Sequence, residues 1–200
     1  MSILDNASVC RFHHNQIREF GLNSVQSLGW KSEKSQSVRF EILTGIDNMT
    51  DCSVMDVGCG VGELKVFLDT KYSGVRYFGI DQMSVFLDIA ISRFSESDDT
   101  TFFLGDFSTA ILPNTDYVLA SGAFNYRNSE PDFVLNVIDK LFANCRLGFA
   151  FNLMGNINAS ASILVAYNPS YILKHCQTLS KKVIIKQGYL EDDFTIWMYK

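Results

Sequence analysis

From Ser53 onward the chain alternates short apolar runs with segments of helical period, and that alternation restricts the fold more than any other property of the sequence. SVMDV, VRYFGI, TTFFL, DYVLA and RLGFAFNL read as successive strands. Between them, Leu64, Phe67 and Leu68, then Phe86, Ile89, Ala90 and Phe94, then Val134, Val137, Ile138 and Leu141 recur at the spacing of a buried helical stripe. The last two runs, KKVIIKQGY and DFTIWMY, are separated only by a short turn around Glu191 and Asp192, so they should pair antiparallel. Strands joined through helices require a mostly parallel sheet with helices on both faces. The expected fold class is therefore α/β: a seven-stranded, mostly parallel sheet that ends in an antiparallel hairpin.

Helix punctuation fills in the rest. A first helix is expected from about Ser8 to Phe20, ended by Gly21. A second should run from a Ser32 cap to about Ile46, with Val38, Ile42 and Leu43 on its apolar side. Ser129 is placed to cap the helix of SEPDFVLNVIDKLF, with Pro131 in its first turn, and Asn168-Pro169 opens one carrying Ile172, Cys176 and Leu179. Two hundred residues suit one domain (1–200), with a helical lid region over 1–50 and the sheet over 51–200.

Charge narrows the partners. The net charge is −5, and Lys181-Lys182 is the only adjacent basic pair, so nucleic acid is not an expected partner. No window reaches 18 uninterrupted apolar residues and the amino terminus has no basic-then-apolar pattern, so the expectation is a cytoplasmic protein off the membrane. Cys10, Cys52, Cys59, Cys145 and Cys176 are odd in number and irregular in spacing, which fits reduced thiols rather than a disulfide framework or a zinc site. No metal is expected.

In a parallel α/β sheet, ligands sit beyond the carboxyl ends of the strands. Four constellations lie there. After the first strand comes Asp56-Val57-Gly58-Cys59-Gly60-Val61-Gly62, more glycine than a tight turn requires. Bare backbone lets a ligand lie close, and the helix start that follows offers unpaired N–H groups. After the second comes Asp81, able to accept from both hydroxyls of a ribose. Gly105-Asp106-Phe107 follows the third, an acceptor for an exocyclic amine beside an aromatic ring. Ser121-Gly122-Ala123-Phe124-Asn125-Tyr126 follows the fourth. The spacing G-x-G-x-G departs from the dinucleotide fingerprint, and Glu63 stands where its third glycine belongs. A carboxylate there repels a pyrophosphate, so a nucleoside cofactor without phosphate fits better than NAD.

VMDVGCGVGEL, FGIDQM, FFLGDF and DYVLASGAFNY resemble the successive signature segments of the class I S-adenosylmethionine-dependent methyltransferases, over about Ser53 to Tyr126. The terminal antiparallel strand pair matches the Rossmann-like topology of that family, and LGWKSEKSQSVRF resembles a segment that precedes the glycine loop in its small bacterial members. The resemblance implies S-adenosylmethionine as cofactor and S-adenosylhomocysteine as product. It implies that Asp56, Gly58, Cys59, Gly60 and Gly62 hold the methionine part, and Asp81 with Gln82 the ribose. Asp106 and Phe107 would take the adenine, Ser121 and Gly122 the amino acid end, and Gln36 and Arg39 would close over the carboxylate.

The acceptor is less legible. Family members that methylate amino groups of adenine or glutamine resemble one another in an Asn/Asp-Pro-Pro-Tyr segment after the fourth strand. Here that position reads Ala120-Ser121-Gly122-Ala123-Phe124. With the negative charge, this favours a small-molecule acceptor methylated on oxygen. His13, His14 and Tyr126 are the candidates for a base, and Met154 to Tyr167 for the acceptor loop. A non-catalytic protein binding the same cofactor and an NAD-dependent oxidoreductase are the competing readings. Oligomeric state is not legible.

Overall fold

The computed structural model describes residues 2–22, 24–156 and 163–200. Helices α1 (Ile3–Phe20) and α2 (Glu33–Thr44) come first. Then follow β1 (Ser53–Val57), α3 (Glu63–Lys71), β2 (Arg76–Asp81), α4 (Ser84–Arg93), β3 (Thr100–Leu104) and β4 (Thr115–Ala120). The chain continues through α5 (Phe133–Ala143), β5 (Cys145–Met154), α6 (Pro169–Leu179), β6 (Lys182–Gln187) and β7 (Asp193–Tyr199). The seven strands form one sheet in the order β3-β2-β1-β4-β5-β7-β6. Pairs from β3 through β5 are parallel, and β7 runs antiparallel to both β5 and β6. The strand order reverses between β1 and β4, which opens a crevice beyond their carboxyl ends.

Strand alternation sends Met55, Val57 and Val118 to one face, where α5 residues Val134, Val137, Ile138 and Leu141 pack with Ile172 and Cys176 of α6. Val54, Tyr77, Tyr117 and Leu119 meet Leu43, Leu64 and Leu68 on the other. Burying one such aliphatic side chain is worth about 1.5–3 kcal/mol, so these two layers hold the sheet's helical cover in place.

Two helix starts differ from expectation, those of α1 and α5. α1 begins at Ile3 rather than Ser8, because Ser2 and Asp5 form a reciprocal capping box. Gly21 ends it, with φ of 84°. α2 starts after Ser32 as expected, but buries Gln36, Phe40 and Leu43, leaving Val38 and Ile42 half-buried. α5 starts after Asp132, not Ser129. The Ser129 hydroxyl and N–H instead donate to Asp5, at 2.7 and 3.2 Å, tying this loop to the start of α1. α6 is capped by Asn168, whose side chain accepts from the Tyr171 N–H, and Leu179 at its end is exposed. Among the described residues, no helix is long and apolar enough to cross a membrane.

Candidate functional site

A cavity opens at the carboxyl ends of β1, β2 and β4, roofed by α1, α2 and the segment between them. Asp56, near the end of β1, is buried and accepts a hydrogen bond from the Tyr77 hydroxyl at 2.5 Å. Burial pushes its carboxyl up to about 7, against the Tyr77 bond that pulls it down, and Asp81 adds to the rise.

The β1–α3 turn needs its glycines for conformation as well as space. Gly58, Gly60 and Gly62 have φ of 75°, 54° and 82°, in the left-handed region. A Cβ on Gly58 would lie 2.8 Å from the Ala123 methyl, and one on Gly60 3.0 Å from Leu28 Cδ2. Gly58, Cys59 and Gly60 line the cavity. Gly62 does not: it precedes α3, and a Cβ there would lie 2.7 Å from the Phe94 ring. Its bareness serves the turn and the packing of α4's end.

Asp81 ends β2, buried. It accepts from the N–H groups of Gly60 and Met83, each at 2.8 Å, and so fixes the glycine loop against the second strand. Burial raises its pKa, opposed by those two bonds. Gln82 lines the cavity beside it. After β3, Phe107 reaches the cavity but Asp106 lies off its wall. The Asp106 carboxylate accepts from the Ser108 N–H and hydroxyl, at 2.8 and 2.7 Å, and from the Asn6 amide of α1 at 3.2 Å. Lys140 Nζ braces this loop by donating to the carbonyls of Phe107 and Ala110, at 2.8 and 2.6 Å.

Ser121 and Gly122 line the cavity after β4. Asn152, buried in β5 and overlooked in the sequence, joins them: its amide donates to Ser121 Oγ at 3.0 Å and its carbonyl accepts from the Gly122 N–H at 2.8 Å. A polar side chain inside the apolar run FAFNL was the available signal. Gln36 and Arg39 reach the same cavity from α2. Arg39 makes a two-bond ion pair with Asp193 at the start of β7, and its guanidinium lies 4.9 Å from the centre of the Trp30 ring. Trp30 and Asp193 also line the cavity, and nothing local in the sequence marked them.

The three candidate bases separate. His14 is exposed and off the cavity. His13 is buried in the cavity wall rather than on a solvated face. Its Nδ1 lies 3.0 Å from the Ser27 carbonyl, and its Nε2 lies 2.9 Å from the Tyr126 hydroxyl. Of the expected acceptor loop, Met154 and Leu164 line the cavity, while 157–162 fall outside the described residues.

The charged lining is unbalanced. Among the described residues, Asp56, Glu63, Asp81 and Asp193 share the lining with Lys31 and Arg39, and with His13 as the titratable base. Arg39 is engaged by Asp193, and Glu63 is paired with Arg93 at 2.6 Å. Apolar walls come from Phe12, Leu28, Trp30, Phe86 and Leu153. Such a chamber suits a ligand that carries positive charge and apolar or aromatic parts, and opposes one with several phosphates.

The family described as "Methyltransferase domain" matches residues 54–144. Rv1506c of Mycobacterium tuberculosis, which carries a methyltransferase designation, is 29% identical over 157 residues, covering 74% of this chain and 93% of that protein. Among solved structures, magnesium protoporphyrin IX methyltransferase from Synechocystis PCC 6803 with bound S-adenosylmethionine superposes with a TM-score of 0.70 at 13% identity. That match covers 98% of this chain and 97% of the other. Phosphoethanolamine N-methyltransferase 1 of Haemonchus contortus gives 0.76 at 12% identity, covering 100% of this chain and 50% of the other. At such identities the two structures share the fold.

Proposed function

We propose that the chain is a class I S-adenosylmethionine-dependent methyltransferase and that it transfers the methyl group to an oxygen atom of a small molecule without phosphate groups. S-adenosylmethionine is the methyl donor. The observation that carries the site assignment is that residues from four successive strand ends, Gly58 and Gly60, Asp81, Phe107, and Ser121, line one cavity. In this reading the methionine half of the donor lies along the glycine loop, Asp81 and Gln82 take the ribose, and Phe107 covers the adenine. Ser121, Gly122, Gln36 and Arg39 surround the amino acid end.

The bound donor supplies an activated methyl group, so the protein's task is alignment, exclusion of water and disposal of a proton. The donor carries a sulfonium and an ammonium against one carboxylate. Buried Asp56 and Asp81 favour that excess positive charge, which leaves the sulfur when the methyl moves. Loss of the charge weakens the product's hold and helps turnover. The same acid excess separates this cavity from one suited to phosphoethanolamine, because among the described residues its lining cations already face acids: Arg39 is paired with Asp193, and Lys31 Nζ lies 4.0 Å from Asp192.

The test is transfer of labelled methyl from S-adenosylmethionine to a panel of phenols, alcohols, amines and phosphorylated amino alcohols. Label on a hydroxyl of an uncharged acceptor is expected. Label confined to phosphorylated acceptors, or to amines, contradicts the proposal.

A further inference from the structure

His13 and Tyr126 are separated by 113 positions and belong to different layers, yet their side chains meet at 2.9 Å in the cavity wall. Building on the methyl-transfer reading above, we propose that they form a proton relay: Tyr126 is the catalytic residue that takes the proton of the attacking hydroxyl, and His13 receives the proton that Tyr126 gives up.

Hydrogen-bond polarity sets the direction. The Ser27 carbonyl, 3.0 Å from His13 Nδ1, can only accept, so Nδ1 bears the hydrogen. In the neutral ring Nε2 is then an acceptor, and the neighbouring proton available to it is that of the Tyr126 hydroxyl. Burial lowers the His13 pKa and keeps the resting ring neutral, while the Ser27 bond and Asp81 act the other way and His14 adds slightly to the lowering. Burial also pushes the Tyr126 hydroxyl well above its ordinary value. Alone, that phenol is a poor base; backed by an imidazole lone pair, it can accept one proton while releasing another.

The pair is held from both sides. Phe12 and Phe86 set their rings edge-on to His13, at centroid distances of 5.2 and 5.4 Å. Tyr126 is fixed by backbone pairing with Leu164: the Arg127 N–H donates to the Ile163 carbonyl at 2.8 Å, and the Val165 N–H to that of Asn125 at 2.7 Å.

In the step, a lone pair of the acceptor oxygen forms the new O–CH3 bond as the C–S bond breaks with its electrons left on sulfur. The acceptor's proton passes to the Tyr126 oxygen, and the Tyr126 proton passes to Nε2. One positive charge leaves the sulfonium and one appears on the imidazolium, so the cavity's total charge is unchanged. Asp81 favours that imidazolium.

Nitrogen NMR of the imidazoles, with and without S-adenosylhomocysteine, reads the relay directly; the chain has three histidines, assigned with His14→Gln and His175→Gln. We expect His13 at neutral pH to be uncharged, with its hydrogen on Nδ1. Its Nε2 resonance should move in Tyr126→Phe while those of His14 and His175 stay put. A hydrogen on Nε2 of the neutral ring, or a charged ring at neutral pH, overturns the relay. Affinity for S-adenosylhomocysteine should stay within about twofold in Tyr126→Phe; a loss above about tenfold would assign the pair to the donor and overturn the relay as well (about 1.4 kcal/mol per decade). With an accepted hydroxyl from the panel, Tyr126→Phe should lower kcat about a hundredfold or more. An unchanged kcat refutes the relay. Failure of the wild type to bind S-adenosylhomocysteine would instead strike at the donor reading, since the tautomer is measured in the ligand-free protein too.

Discussion

At the amino-terminal ends of β1 and β4, Asp116 is met by Arg146 Nε at 2.9 Å and by the Ser53 N–H and hydroxyl at 2.8 and 2.7 Å. At the carboxyl end of β1, Asp56 has the Tyr77 hydroxyl, and among the described residues no cation is paired with it. The bond to Arg146, backed by Ser53, pulls Asp116 down to about 2, whereas burial pushes Asp56 up to about 7. Two carboxylates in one sheet thus differ because one is met by a cation and the Ser53 donors, whereas the other is buried with a neutral hydroxyl as its donor. The first end is closed for stability. The second, in the proposed reading, keeps a buried carboxylate for the positively charged donor.

The largest effect that sharpens this contrast belongs to Asp81→Ala. Hydrogen bonds to a charged group contribute about 1.5–3 kcal/mol each. Loss of the carboxylate should therefore weaken S-adenosylhomocysteine binding at least about tenfold in a calorimetric titration. Next comes Gly58→Val, which sets a side chain on a backbone with φ of 75° and within 2.8 Å of the Ala123 methyl. A strain of about 1–3 kcal/mol should lower the thermal midpoint and reduce binding together. Gly60→Ala should cost less, since the nearest atom is the end of the flexible Leu28 side chain.

Asp116→Asn probes the other end. It should lower the thermal midpoint by about 2–4 °C and leave S-adenosylhomocysteine affinity unchanged. An equal fall in affinity would break the separation of the two ends. A further effect is in pH. Because the folded-state pKa of Asp56 is raised to about 7, the folded protein binds the proton more tightly than the unfolded chain does. The contribution to stability is present below the ordinary carboxylate range and is lost as pH rises toward about 7. Asp56→Asn should flatten that part of the stability-versus-pH curve. Affinity for S-adenosylmethionine should rise through the same window in the wild type and not in Asp56→Asn.

Strand and helix order were legible because each element declares its period within a few residues, and the glycine turn and Asp81 because both lie next to a strand end in the sequence. The helix starts were less so. Ser129 has the chemistry of a cap, but Asp5 of α1, remote in sequence, claims its hydroxyl. Asp106 passed the strand-end test and still lies off the cavity, held by Ser108 and Asn6. Trp30, Asp193 and the burial of His13 depend on how α1 and α2 fold over the sheet, which no local pattern encodes. Asn152 was readable in principle, as a lone amide among buried apolar residues.

Calorimetric titration of the wild-type chain with S-adenosylhomocysteine, with NAD in parallel, tests the claim that the open end of the sheet holds the methyl donor. Saturable binding of S-adenosylhomocysteine and no heat with NAD is the predicted result. Binding of NAD instead, or of neither, would contradict it.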